Sequence, residues 1–155
     1  MKTTNIKTKN ILLNLGMAAI LLSVPPMAIA ADLITAKEAQ LPAAAGELKT
    51  RGISRGPAIK VLSPDVGASS ITAPFDFKVQ FESRGGKKID PASVKVTYLK
   101  SPLVDLTGRM KPAISESGIN FDKAQVPPGD HAVRITVKDV DGRESNSVIT
   151  LAVKK

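Results

Sequence analysis

The last third of the chain limits the fold most, because its residues alternate between apolar and polar with a period of two. Every second residue of 131–138, starting from His131, belongs to one face, and a second apolar run follows at 148–153. Between the two runs lies the turn signal Asp141-Gly142. Alternation on both sides of an Asp-Gly turn predicts a β-hairpin with one buried face. The sequence therefore predicts an all-β domain that ends in a hairpin.

Shorter alternating runs precede this hairpin, and prolines punctuate them from residue 57 onward. In the clearest run, 75–82, three phenylalanines and Val79 share one face, as a half-buried strand requires. In the next run, Tyr98 has the parity of the inward side chains. The predicted strands are 58–63, 75–82, 93–99, 104–106, 118–121, 131–140 and 146–153. Seven strands within about a hundred residues are typical of an antiparallel two-sheet sandwich.

The amino-terminal 30 residues have the pattern of a targeting segment. Three lysines precede an apolar stretch at 11–22, and Ala28-Ile29-Ala30 offers small residues for cleavage. This pattern predicts a signal peptide over 1–30 that is cleaved after Ala30. The stretch is shorter than the about 20 residues of a membrane-spanning helix, so no membrane span is expected after cleavage, with an uncleaved anchor as the alternative. We therefore expect an exported protein, periplasmic or secreted.

The charge of the chain is mildly basic once this leader is set aside. The 155 residues carry 22 basic and 14 acidic side chains, a net charge of +8. Three basic residues fall within 1–30, which leaves 19 against 14, or +5. Both signs are scattered, which argues against a nucleic-acid partner. The chain has no cysteine, which excludes disulfides, thiol catalysis and thiolate metal sites.

Residues 31–55 differ in composition from the predicted strand region after them and are interpreted as an arm. Thr35 and Glu38 have the spacing of a capping box, which predicts a short helix that ends before Pro42. Isolated helices of this length are marginal, so we expect a flexible or partly helical linker. An arm that becomes ordered on a partner is the alternative. The domain itself is expected to span 56–155.

The entry and the turn of the closing hairpin resemble those of bacterial immunoglobulin-like domains. Such domains often show Pro-Gly-x-His before the strand and Asp-x-x-Gly at the turn, which correspond to 128–131 and 139–142 here. The run 59–64 is similar to their first strand and its exit. The resemblance covers about 58–153 but lacks the paired cysteines and core tryptophan of antibody domains. It implies an immunoglobulin-like sandwich and the usual roles of such domains, which are adhesion, spacing and accessory binding beside enzymes or transporters.

His131 is the one histidine of the chain, so any Ser-His-carboxylate site would have to use it. There is no nucleophile-elbow motif and no second histidine for a zinc site. Because His131 has the parity of Val133 and Ile135, we expect its ring to pack inward and to bond a backbone group. We therefore expect no catalytic residue, no cofactor and no enzyme. A catalytic centre on His131 and neighbouring carboxylates is the alternative.

Asp139 and Asp141 are candidate calcium ligands, with Asp130 as a further candidate, because carboxylates in loops suit hard cations. A calcium ion takes roughly six to eight oxygen ligands, more than this part of the sequence offers. Asp141-Gly142 is also explained by the hairpin turn itself.

A basic sheet face is the more specific candidate for a binding site. In an immunoglobulin-like sandwich the third strand and the last two share a sheet, which would place Lys95, Arg134 and Lys138 among small outward side chains. Such a face could dock an acidic surface of a protein or an envelope polymer, and a solvated face without a role is the alternative. A sugar-binding face is not expected, because there is no tryptophan and the single tyrosine has inward parity.

These features together lead us to expect a non-catalytic, exported accessory or binding module of the cell envelope. It would act through contact with an envelope or secreted protein, and its partner is not specified by the sequence. The alternative is a periplasmic binding protein for an anionic ligand or Ca2+.

Overall fold

The computed structural model describes residues 31–45, 55–65 and 70–154. Strands make up 58% of the described residues and helices 10%, which confirms the all-β class predicted from the alternation. The strands form two mixed five-stranded sheets, and these do not close into a barrel.

The described elements follow one another in the order β1 Ala31–Asp32, α1 Ala36–Ala39, β2 Ala58–Ser63, β3 Ile71–Thr72, β4 Phe75–Glu82, β5 Ile89–Tyr98, β6 Val104–Asp105, α2 Thr107–Met110, a 3₁₀ turn Lys111–Ala113, β7 Ile114–Ser115, β8 Gly118–Gln125, β9 Gly129–Asp139 and β10 Glu144–Lys154. Strands β2 and β4 have the predicted bounds. The predicted strands at 93–99, 118–121, 131–140 and 146–153 correspond to β5, β8, β9 and β10, and each of these begins or ends beyond its expected limits.

The two sheets divide the chain between them. The first has the order β1-β8-β4-β2, with β7 also paired to β8, and the second has the order β3-β10-β9-β5-β6. The predicted closing hairpin is present as β9 and β10, paired from Glu144 opposite Lys138 to Val153 opposite Gly129. Strand β5 lies on the other side of β9, so the third long strand and the last two do share a sheet.

The sheets are mixed, which corrects the expectation of a purely antiparallel seven-stranded structure. Strand β1 runs parallel to β8, and β3 runs parallel to β10. Both of these strands, and β7, are two residues long. A two-residue strand shows no alternation in sequence, and the pattern of apolar residues did not reveal these three. The strand β6 also has two residues and lies within the run 104–106 that the sequence predicts. Ten strands are therefore present in the described part of the chain.

One hydrophobic cluster joins the inward faces of both sheets. Phe77 and Val79 contribute from β4, Val96 and Tyr98 from β5, and Ile135 from β9, all buried. The alternation along each strand places these side chains inward and their neighbours outward, as the sequence predicts. Burial of each large apolar side chain contributes about 1.5–3 kcal/mol, so this shared face is the main source of stability.

Residues 31–45 belong to this structure rather than extending away from it. Leu33 is 1% exposed and Ile34 is 2% exposed, and both are members of the hydrophobic cluster. Their backbone N–H groups both donate to the Gln125 carbonyl at the end of β8, over 3.0 and 3.3 Å. The predicted capping box is confirmed, because Thr35 and Glu38 exchange side-chain-to-backbone hydrogen bonds at the start of α1.

Two basic side chains fasten this segment to the second sheet and to α2. Arg109 forms a bidentate pair with the Glu38 carboxylate and donates to the Leu33 carbonyl over 2.8 Å. The Arg109 guanidinium lowers the pKa of Glu38 to about 2. Lys100 donates to the carbonyls of Ala39 and Leu41, over 3.0 and 2.8 Å, where it satisfies groups at the end of α1 that have no partner within the helix.

The sequence predicts a flexible or partly helical linker here, and the described residues 31–45 contain the helix but pack against the domain. The short helix is where the sequence places it, but the apolar residues just before it complete the domain core. The boundary expected at residue 56 separates two pieces of chain that share one hydrophobic cluster. The rest of the expected arm, 46–54, and the expected signal peptide, 1–30, lie outside the described residues. No helix in the described ranges is long and apolar enough to cross a membrane.

We predict that Leu33→Ala lowers the free energy of unfolding by about 2–5 kcal/mol, because it leaves a cavity in the core. Leu62→Ala is the matched control, since Leu62 is 61% exposed and its truncation should change the same free energy by less than about 0.5 kcal/mol. Urea denaturation of both variants measures the difference. Equally small effects would mean that residues 31–45 are not part of the cooperative domain.

Candidate functional site

His131 lies at the inner rim of the closing hairpin, where β9 begins, and is 2% exposed. Its Nε2 lies 2.8 Å from the Pro127 carbonyl oxygen, and its Nδ1 lies 2.8 Å from the Tyr98 hydroxyl. The contact to a backbone carbonyl and the inward packing of the ring are as the sequence predicts. Tyr98 was missed as a partner, although both residues have inward parity, because their proximity depends on the pairing of β5 with β9.

The hydrogen bonds determine the proton positions on this pair. A carbonyl oxygen can only accept, so Nε2 of His131 carries the proton and donates to Pro127. In the neutral ring Nδ1 is then an acceptor, and the Tyr98 hydroxyl donates to it. Burial lowers the pKa of His131, with Lys100 adding a smaller effect in the same direction, and burial raises the pKa of Tyr98. Both shifts favour the neutral forms that this pair of hydrogen bonds requires.

This arrangement leaves His131 with no ring nitrogen available to a substrate. Both nitrogens are engaged inside the domain, and the ring packs beside Tyr98 at a centroid distance of 5.7 Å. A general base has to reach the proton that it abstracts, so the geometry supports a structural role for this histidine.

Asp139 and Asp141 are not arranged as a calcium site. Oδ1 of Asp139 accepts from the backbone N–H groups of Asp141 and Arg143, over 3.0 and 2.9 Å, so this carboxylate shapes the turn. Oδ2 of Asp141 lies 3.4 Å from the side-chain nitrogens of both Lys87 and Arg143. Among residues 31–45, 55–65 and 70–154, no three histidine, cysteine or acidic side chains gather as metal ligands would.

The three basic residues predicted for the sheet face do lie on the outer face of the second sheet. Lys95 is opposite Thr136, and Arg134 is opposite Thr97, so the two cations occupy diagonal positions on neighbouring strands. Lys138 lies two residues beyond Thr136 along β9, opposite Glu144, and its ammonium is 3.2 Å from that carboxylate. The face is therefore less positive than the sequence indicates, because the strand registers place Glu144 and Asp90 opposite Lys138 and Asp105 opposite Thr97.

Two polar atoms on the same face have no hydrogen-bond partner within the described part of the chain. They are Nε of Arg134 and Oδ1 of Asn146, and both are shielded from solvent. Asn146 lies opposite Thr136, and Val148 lies opposite Arg134, so Asn146 and Arg134 are diagonal neighbours on β10 and β9. A donor and an acceptor that are both unsatisfied cost about 1–3 kcal/mol each. Sequence reasoning missed Asn146, because its neighbours on β10 carry no charge pattern that would single it out.

A cleft of ≈ 470 Å³ lies beside the N-terminal segment, where Ile34 and Gln125 line it together with Asp32 and Lys154. Two polar groups of the lining already form hydrogen bonds within the domain. The Thr35 side chain caps α1, and the Gln125 carbonyl accepts from the backbone of Leu33 and Ile34. The lining includes one carboxylate and no histidine among the described residues. The cleft therefore lacks the paired carboxylates, or the histidine beside a nucleophile, on which hydrolytic sites depend.

No family model matches this chain, and no curated protein or solved structure matches it either.

We predict that the stability of the protein falls as the pH falls through the range of the histidine. The pKa of His131 is below its unfolded value of about 6.5, so the unfolded state binds the proton first and the stabilising contribution is lost as the pH drops from there. In His131→Gln this dependence between about pH 7.5 and 5.5 should disappear. Tyr98→Phe is the control, since it removes a hydrogen bond but keeps the titrating ring.

Thermal or urea unfolding across this pH range makes the measurement. If the free energy of unfolding depends on pH as steeply in His131→Gln as in the wild type, another group titrates in this range. Loss of the slope in Tyr98→Phe would mean that the hydroxyl, rather than burial, keeps the ring neutral.

We also predict that the two turn carboxylates differ in what they contribute. Asp139→Ala should lower the free energy of unfolding by about 1–3 kcal/mol, because two backbone N–H groups lose their acceptor. Asp141→Ala should cost less than about 1 kcal/mol, because its ion pairs are exposed. Added calcium or a chelator should leave the melting temperature of the wild type unchanged. A calcium-dependent rise in the melting temperature that Asp139→Ala abolishes would mean that this turn does bind calcium.

Proposed function

We propose that the two sheets form an immunoglobulin-like sandwich. The order β2-β4-β8 in one sheet and β10-β9-β5-β6 in the other supports this, because such folds divide their strands in this way. The parallel pairing of β3 with β10 fits a first strand that crosses from one sheet to the other. The shared hydrophobic cluster supports face-to-face packing of the sheets.

We propose further that the protein is a non-catalytic, exported accessory module of the cell envelope that binds a protein partner. The leader pattern over 1–30 and its small residues before Ala31 support export. The engagement of both His131 nitrogens inside the domain supports the absence of catalysis. Fold alone does not specify a function, so the argument for binding depends on the outer face of the second sheet.

The observation that carries the binding proposal is the unsatisfied pair on that face. Nε of Arg134 is a donor and Oδ1 of Asn146 an acceptor, and neither has a partner among the described residues. Lys95 on β5 and Lys138 on β9 lie close to them on the same face. Because both atoms are shielded from solvent, the two side chains would have to turn outward before a partner carboxylate could accept from Arg134 and a partner amide could donate to Asn146. The docked complex would then remove the cost that the isolated domain bears.

Charge determines the class of partner that this face fits. Lys95, Arg134 and Lys138 are diagonal or near neighbours, and small or uncharged side chains such as Thr97 and Thr136 lie between them. A flat face with cations at this spacing is complementary to an acidic protein surface, and complementary charge raises association rates and specificity more than affinity. Glu144 and Asp90 lie opposite Lys138. Asp105 lies opposite Thr97, and its pKa is lowered by hydrogen bonds from Thr107 and, to a smaller extent, by the charge of nearby Lys95. Arg134 is therefore the main contributor, with Lys95 second.

We predict that the triple variant Lys95→Glu, Arg134→Glu, Lys138→Glu lowers capture of the partner by at least about tenfold, since like charges across an interface cost several kcal/mol. The measurement is crosslinking and co-purification of the tagged protein from its own cells, quantified by mass spectrometry. The matched control is Lys111→Glu, Lys123→Glu, Lys154→Glu, which makes the same change in net charge elsewhere.

If the triple variant keeps its melting transition and captures as much partner as the wild type, the proposal for this face is wrong. Equal loss in the control variant would mean that net charge alone governs capture. A small anionic ligand that raises the melting temperature of the wild type, but not of the triple variant, would replace the protein partner with the binding-protein alternative.

A further inference from the structure

Two turns meet at the end of the domain where β4 passes into β5 and β9 passes into β10. We call residues 83–88 and 139–143 together the hairpin tip. The Val140 backbone N–H donates to the Lys88 carbonyl over 3.0 Å, and the Lys87 ammonium lies 3.4 Å from the Asp141 carboxylate. The Ser83 hydroxyl donates to the Lys87 carbonyl within the first turn. These contacts join the two turns into one surface.

The hairpin tip is positively charged at its surface. It carries four basic residues, Arg84, Lys87, Lys88 and Arg143, against the two acidic residues Asp139 and Asp141. The buried Asp139 carboxylate accepts from the turn backbone and lies 3.9 Å from Arg143, and Asp141 pairs with both Arg143 and Lys87. The formal charge that remains on the tip is +2. The nearby ion pairs of Lys60 with Glu82 and of Lys138 with Glu144 add no net charge.

The same surface exposes an apolar side chain at a protruding position. Val140 is 62% exposed and comes directly after the last residue of β9. Gly85 and Gly86 form the other turn with positive φ angles of 67° and 70°, and apart from each glycine and its chain neighbours no atom lies within 4 Å of where a β-carbon would stand. The tip is therefore a projection with bare backbone and one apolar side chain, surrounded by cations.

We propose that the hairpin tip docks on the surface of a bilayer that contains anionic lipid. Lys and Arg side chains near such a surface are attracted to it. A small apolar side chain between them can enter the boundary between headgroups and acyl chains, as in other peripheral membrane contacts. An acidic protein would be matched by the cations, whereas a bilayer surface accommodates both the cations and the valine. A projection also suits a membrane surface, whereas the flat face of the second sheet suits a protein.

The proposed contact is weak and depends on charge. Each basic side chain near an anionic bilayer contributes a factor of about five to the partition constant, and this contribution falls with added salt. Asp90, the next acidic residue along β5, lies opposite Lys138 rather than within the tip. Lys138 directly precedes the tip, but Lys95 and Arg134 do not belong to it, so substitutions at these two residues test partner binding independently of membrane docking.

The experiment is co-sedimentation of the protein, expressed from its full sequence, with vesicles of phosphatidylcholine alone or mixed with phosphatidylglycerol. We expect binding that requires phosphatidylglycerol and falls with salt. Lys87→Gln with Lys88→Gln should lower the partition constant on mixed vesicles by about thirtyfold, because two charges are removed. Lys123→Gln with Lys154→Gln, at the opposite end of β4 and β10, is the matched control and should leave it within about twofold.

A second pair of variants tests the apolar contact. Val140→Ser should weaken binding severalfold, whereas Leu103→Ser, which alters a residue 59% exposed in the loop between β5 and β6, should not. Melting curves of all four variants verify that they fold. Absence of binding to mixed vesicles at low salt, or equal losses in the tip and control variants, would overturn the proposal. Preference for a soluble acidic protein over the vesicles would do the same.

Discussion

Burial of the alternating apolar faces of β4, β5, β9 and β10 in one hydrophobic cluster is the constraint on which the rest of this structure depends. Side chains of a strand point to opposite faces in turn, so a shift of one residue in any pairing would expose the whole apolar set. The register of the closing hairpin, with Glu144 opposite Lys138 at the turn end, results from this requirement. It also decides which polar side chains meet outside the core.

The core is completed by a segment that looks like a linker in composition. Leu33 and Ile34 are as deeply buried as residues of the central strands, yet the strand beside them is only two residues long. A short element of this kind cannot hold itself in place. Arg109 and Lys100 hold the segment in place, because they bind its carboxylate and carbonyl groups directly. Polar contacts here position apolar residues, and the apolar residues provide the stability.

The polar residues of the domain divide into those whose hydrogen bonds lie inside the fold and those that we propose for contact with other molecules. His131 with Tyr98, and Asp139 with its turn backbone, have their hydrogen bonds satisfied inside the domain. Within the described residues, Arg134 and Asn146 do not, and the cations of the hairpin tip surround an exposed valine. The two proposed contacts therefore occupy different surfaces with different shapes, a flat sheet face and a protruding pair of turns.

The sequence by itself determined the long strands, their inward faces, the capping box at Thr35 and the inward position of His131, because each depends on local periodicity or spacing. It did not reveal β1, β3 or β7, since two residues cannot show a period. It also could not pair Tyr98 with His131, Lys138 with Glu144, or Glu38 with Arg109, which are separated by 33, 6 and 71 positions. Such contacts depend on strand register and on how the sheets pack. Only the tertiary structure decides these, because burial of the whole core, rather than any local preference, selects them.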